Sequence, residues 1–125
     1  NDYFGEYRER SYGEFNNNIG GGLESVLRST EIRNIDTIYL DRYIPFISYY
    51  SQFYQIKLDK DIKDKQVFFD YKTVDFSKFA PGSIVLIEHD HAPPGRQDHI
   101  GPFEKIEIIR EPNGYETFYI YYRDR

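Results

Sequence analysis

All three histidines of this chain fall within eleven residues, in the run Glu88-His89-Asp90-His91-Ala92-Pro93-Pro94-Gly95-Arg96-Gln97-Asp98-His99. A neutral imidazole is the side chain best suited to proton transfer or metal ligation near neutral pH. Three of them share a short loop with carboxylates, directly after the apolar run Ile84-Val85-Leu86-Ile87. His89 and His91, two apart on an extended segment, would project to one side. With Asp98 and His99 returning after the Pro-Gly turn, nitrogen and oxygen donors could converge on a divalent metal such as zinc. The spacing matches no standard zinc motif, so the first expectation is no cofactor, with His89 and His91 as loop histidines. A divalent metal on His89, His91 and Asp90 is the alternative. His99 differs from the other two, because it opens an apolar strand that could hold its ring rigidly as a general base.

These groups need a scaffold, and the sequence outlines one. A chain of 125 residues with thirteen Tyr and ten Phe can close an aromatic core without any cysteine, and it has none. The expected class is α+β, a single domain over 1–125, with N-terminal helices followed by a small antiparallel sheet. Residues 1–22 form a polar lead-in rich in Tyr, Asn and Gly, 23–56 are helical, 57–66 are a charged connector and 67–125 carry the sheet. Gly20-Gly21-Gly22 reads as a break before a helix carrying Leu23, Val26 and Leu27 on one face. Asn34 reads as the N-cap of a short helix with Ile35, Ile38, Tyr39 and Arg42 on one side. After Pro45, the spacing of Phe46, Tyr49, Tyr50, Phe53 and Tyr54 predicts a helix whose aromatic stripe faces the core. Strands are expected near Val67 to Tyr71, at Ser83 to Glu88, at Phe103 to Glu111 and at Tyr115 to Tyr122, with Pro112-Asn113-Gly114 as a hairpin turn.

The net charge of −5 argues against a nucleic-acid partner, which would need a basic patch. No stretch approaches the roughly 20 apolar residues that span a bilayer. The sequence does not begin with Met, and it reads as a mature or trimmed form.

The run Phe79-Ala80-Pro81-Gly82-Ser83-Ile84-Val85-Leu86-Ile87, an acidic loop, and then Gly95-Arg96-Gln97-Asp98-His99-Ile100-Gly101 resembles the second half of a papain-like amidase domain of the NlpC/P60 type. The resemblance covers about residues 79–110. It implies a papain-like fold, with His99 in the place of the catalytic histidine and Asp98 beside it. It also implies an exported or cell-envelope bacterial protein, although a cytoplasmic one fits the composition as well. The family's cysteine nucleophile is missing. Aligning Gly22-Leu23 with the family's Gly-Leu puts Gly20 at its place, and Ser25 lies one turn further on. Pro102 departs from the family pattern, and only Glu116 or Asp124 is placed to orient His99.

The resulting expectation is a degenerate, non-catalytic domain that binds cell-wall peptide or glycan, or a protein partner. Its cleft would lie near His99, bordered by Gly20, Gly21 and Gly22 and by Tyr119 and Tyr121. The alternative is an active amidase or peptidase, using His99 with Ser25 or with a metal held by His89, His91 and His99.

Overall fold

The computed structural model describes residues 19–92 and 99–125, and for His99 the backbone alone. Asp98 and the lead-in residues 1–18 lie outside this set. Residues 19–32 form helix α1, followed by strand β1 (Thr37–Asp41), helix α2 (Ile47–Lys57) and strand β2 (Gln66–Phe69). A 3-10 turn at Phe76–Lys78 leads into β3 (Ser83–Glu88), and a second at His89–His91 follows it directly. The chain ends with β4 (His99–Ile100), β5 (Phe103–Arg110) and β6 (Glu116–Arg123).

The class is α+β, but the sheet is mixed. Its strand order is β2-β1-β3-β6-β5-β4, with β1 parallel to both β2 and β3 and the remaining pairs antiparallel. The expectation of helices first and an antiparallel sheet second therefore holds only for the second half. Thr37–Asp41 forms a strand where the sequence reading placed a helix. Thr37-Ile38-Tyr39 is β-branched and aromatic, which suits a pleated surface. Ile38 and Leu40 alternate onto one core while Tyr39 joins the other, and pairing on both sides outweighs the Asn34 cap signal.

Two cores flank the sheet. On one face Ile38, Leu40, Ile84, Leu86, Phe118 and Ile120 pack with Ile19, Leu23, Val26 and Leu27 of α1 and Ile47 of α2. On the other, Val85, Ile87, Phe103, Tyr119 and Tyr121 pack under Phe69, Phe76 and Phe79 from the β2–β3 connection. The β1–β2 crossover thus runs over one face through α2, and the β2–β3 crossover returns past β1 over the other. Reversing both face and direction keeps the same hand, as parallel crossovers require. The result places the carboxyl ends of β1, β2 and β3 on one rim.

The three glycines do not break α1; they lie within it. A Cβ on Gly20 would collide with the Tyr54 hydroxyl and lie 2.8 Å from its Cζ, so this glycine lets α1 approach α2. Gly21 meets nothing within 4 Å. Gly21→Ala is therefore expected to stabilise the fold by about 0.5–1 kcal/mol, read from urea melts, because helix propensity alone changes there. Gly20→Ala must first displace the Tyr54 ring.

Helix α2 forms where the spacing predicts, but only Tyr50 and Tyr54 of its aromatic stripe pack against the core. Its buried residues are Ile47, Ser51 and Gln55, while Phe46, Tyr49 and Phe53 are largely exposed. The polar inner face is satisfied by a relay. The Ile62 amide donates to Gln55 (3.0 Å), the Gln55 amide to Ser51 (3.1 Å), and the Ser51 hydroxyl to Gln66 of β2 (2.8 Å). These bonds tie the charged connector to the helix and the edge strand, while Phe46, Tyr49 and Phe53 are left toward solvent. Strands β3, β5 and β6 and the turn with Gly114 at φ 92 lie within a residue or so of where the sequence placed them.

Candidate metal centre

Asp41 closes β1 and Glu88 closes β3, so parallel pairing brings two carboxylates from distant sequence onto the same rim. Carboxyl ends of parallel strands are where open α/β sheets gather ligand-binding loops. Asp41 is completely buried. Its Oδ1 accepts the Tyr43 amide (3.0 Å), and its Oδ2 accepts the Glu88 amide (3.2 Å) and approaches His91 Nδ1 at 2.5 Å. An acid on that nitrogen favours the Nδ1-protonated tautomer, which would leave the Nε2 lone pair to act. Nε2 lies 3.3 Å from Glu88 Oε2. Donor atoms of Asp41, Glu88 and His91 all fall within 4.8 Å of one another.

Aromatic side chains fix the imidazole further. Tyr71 stacks on His91 at 4.0 Å between ring centroids and 6° between planes, and Tyr43 meets it edge-on. The Tyr43 hydroxyl donates to Asp70, whose other carboxylate oxygen accepts the Lys72 amide and shapes the loop after β2. His91 borders a pocket of about 380 Å³ together with Tyr71, Lys72, Val74, Phe76, Asp90 and Ala92. A groove of equal volume at the end of α2 is lined by Gln52, Gln55, Ile56, Asp59, Lys60, Asp61 and Lys63. Size does not choose between the two. The imidazole with its buried carboxylate does.

Burial pushes the Glu88 carboxyl above its ordinary value of 4.5; His91 and His89 offset this in part, while Asp41 and Asp90 add to it. Folded protein then holds this proton to a higher pH than the unfolded chain. Its contribution to stability is complete below 4.5 and is lost as pH rises through the folded value. In chelator, denaturation midpoints of the wild type are expected to fall relative to Glu88→Gln as pH is raised from 4.5 toward neutrality, by no more than about 1 kcal/mol.

The histidine loop divides here. His89 and His91 lie in a 3-10 turn, so they diverge instead of sharing a side as an extended segment would require. His89 faces Tyr115 and Tyr119 and pairs with Asp90 (2.9 Å), while His91 turns to β1. The backbone of His99 pairs with Glu104 at the far end of the sheet. Three strand spacings, roughly 14 Å, separate β4 from β3, so the sheet does not bring the backbones of His91 and His99 together. His89 and His91 do not converge, the His99 side chain lies outside the described residues, and the donors that cluster among those described are Asp41, Glu88 and His91.

Ser25 donates its hydroxyl to Glu107 (2.6 Å), linking α1 to β5. Tyr119 and Tyr121 are fully buried in the second core, and so they do not border an open groove. Gly20 and Gly22 face Tyr54 and Leu86 within the helical layer. Asp41, Tyr71 and Lys72 were not legible as site residues, because only the β1–β3 pairing and the loop after β2 bring them to His91. The available signal was an acid ending the strand-like run Thr37-Ile38-Tyr39-Leu40.

No family profile, curated protein or solved structure matches the chain. Its chemistry is read from its own side chains. Among the described residues, no helix is long and apolar enough to cross a membrane.

Proposed function

We propose that this chain is a metal-dependent binding domain, in which Glu88 and His91 ligate a first-row divalent cation that in turn holds a small anionic ligand. The observation that carries this reading is the 3.3 Å separation of His91 Nε2 and Glu88 Oε2, with Asp41 holding Nδ1 from behind. Two ligands at 2.0–2.2 Å from a tetrahedral zinc lie about 3.4 Å apart. A carboxylate behind a ligating imidazole sets its tautomer and raises its basicity. One imidazole with carboxylate oxygens suits zinc or manganese better than calcium.

The remaining coordination positions would open toward the pocket of Tyr71, Lys72 and Asp90. A cation beside the Lys72 ammonium favours an anionic oxygen donor, such as a carboxylate or phosphate group, as the ligand there.

Isothermal titration of the metal-free protein with zinc tests the reading. The expected result is one site per chain, weakened about 10–100-fold by Asp41→Asn and lost in His91→Ala. A wild-type protein that takes up no zinc would instead leave His91 as a structural bridge between two carboxylates.

A further inference from the structure

Helix α2 presents its most apolar side away from the core. Phe46, Tyr49, Phe53 and Ile56 recur along the surface opposite buried Ser51 and are 66%, 63%, 47% and 77% exposed. Tyr49 and Phe53 stack on one another, with ring centroids 6.4 Å apart. Phe68 of edge strand β2 is also exposed, and its register opposite Leu40 places it on the same face of the sheet as α2. Soluble surfaces rarely gather aromatic side chains into one contiguous patch without an occupant.

The backbone reinforces the pattern. Phe46 sits at φ 58, a left-handed conformation that is unfavourable for a bulky residue, and it has no side-chain cap to compensate. The strain holds an aromatic ring at the end of the stripe, out in solvent. Such strain persists where the surroundings, or a function, require it.

We infer that the exposed stripe of α2 is the contact surface of a homodimer, packed against the same stripe of a second copy about a two-fold axis. The inference is independent of the metal reading. The apolar area offered by Phe46, Tyr49, Phe53, Ile56 and Phe68 is on the order of 600 Å² per protomer, judged from the area such side chains bury. A stable interface takes about 800 Å² per partner, so a modest polar rim completes it. Part of that rim adjoins the stripe, since Asp59, Lys60, Asp61 and Lys63 line a groove together with Ile56. Alternating signs suit contact with an identical segment, where each charge can meet its opposite. They offer an anionic lipid surface no net attraction, which such surfaces require.

Sedimentation equilibrium across a concentration series tests this directly. The expected result is reversible association to twice the chain mass, weakened roughly 30-fold or more by Phe53→Glu, with the variant still melting cooperatively as a folded monomer. Since the chain has no cysteine, Tyr49→Cys provides a second reading, and mild oxidation is expected to link two copies. A wild type that stays monomeric at high concentration would overturn the inference. So would a dimer indifferent to Phe53→Glu, or binding of the monomer to lipid vesicles through this stripe.

Discussion

Asp41→Ala is expected to remove about 3–5 kcal/mol of folding stability, the largest effect of any single substitution at the rim. The carboxylate is fully buried and receives the Tyr43 amide, the Glu88 amide and the His91 imidazole. Truncation removes, at a fully buried position, the acceptor shared by these three donors. It also leaves Glu88 with no imidazole held beside it. Domains of this size carry about 5–15 kcal/mol in total, so the variant stands near the edge of folding. Asp41→Asn should cost less, since its amide oxygen can still accept one backbone donor. Its amide nitrogen cannot accept from His91. Urea denaturation of the three proteins, with hydrogen exchange at the Glu88 amide, reads both the size and the location of the loss. Equal stability of wild type and Asp41→Ala would mean that the rim is not organised by this carboxylate.

Zinc at about a hundred times its dissociation constant is expected to raise the melting temperature by roughly 10 °C, because ligand bound only to the folded state adds about 2.7 kcal/mol. His91→Ala and Glu88→Gln should each abolish the shift while melting as cooperatively as the wild type. Acidification should abolish it as well. Metal competes with the proton for Glu88, and burial already favours the protonated form. The metal-free and zinc-loaded proteins therefore have opposite pH trends across the window above 4.5. The first loses stability as Glu88 ionises, and the second gains it. A thermal shift that survives both substitutions would place the metal elsewhere on the chain.

The parts of the fold that were legible in the sequence are those decided by short-range pattern. The apolar run Ile84 to Ile87, the alternation from Phe103 and from Tyr115, and the turn at Asn113-Gly114 each specify a strand or hairpin with few competitors. The spacing from Phe46 to Tyr54 specifies a helix for the same reason. It does not specify which residues face inward, because aromatic side chains fall on both sides of the helix and the inner face closes through the polar Ser51–Gln55–Gln66 relay. Strand β1 was missed because Ile35, Ile38 and Tyr39 satisfy a helical spacing nearly as well as an extended one. Only its two parallel neighbours settle the matter.

The candidate site follows the same division. His91 and Asp90 were visible as chemistry-bearing residues, and Glu88 stands in the same run. Asp41 is 47 residues earlier than Glu88, and nothing local links them. The parallel register of β1 beside β3 makes that link. The weight placed on His99 came from its position at a strand entrance, and its backbone does open β4. The buried carboxylate that could tune an imidazole, however, lies at the other end of the sheet order.

The most direct measurement is the nitrogen-15 spectrum of the imidazoles during zinc titration. Before metal, His91 should appear as the Nδ1-protonated tautomer held by Asp41. On adding zinc, its Nε2 resonance alone should shift, in proportion to occupancy and with a one-to-one endpoint, while the His89 and His99 rings stay unmoved. A His91 ring indifferent to zinc, or a shift confined to His89 or His99, would contradict the assignment of Asp41, Glu88 and His91 as the functional centre.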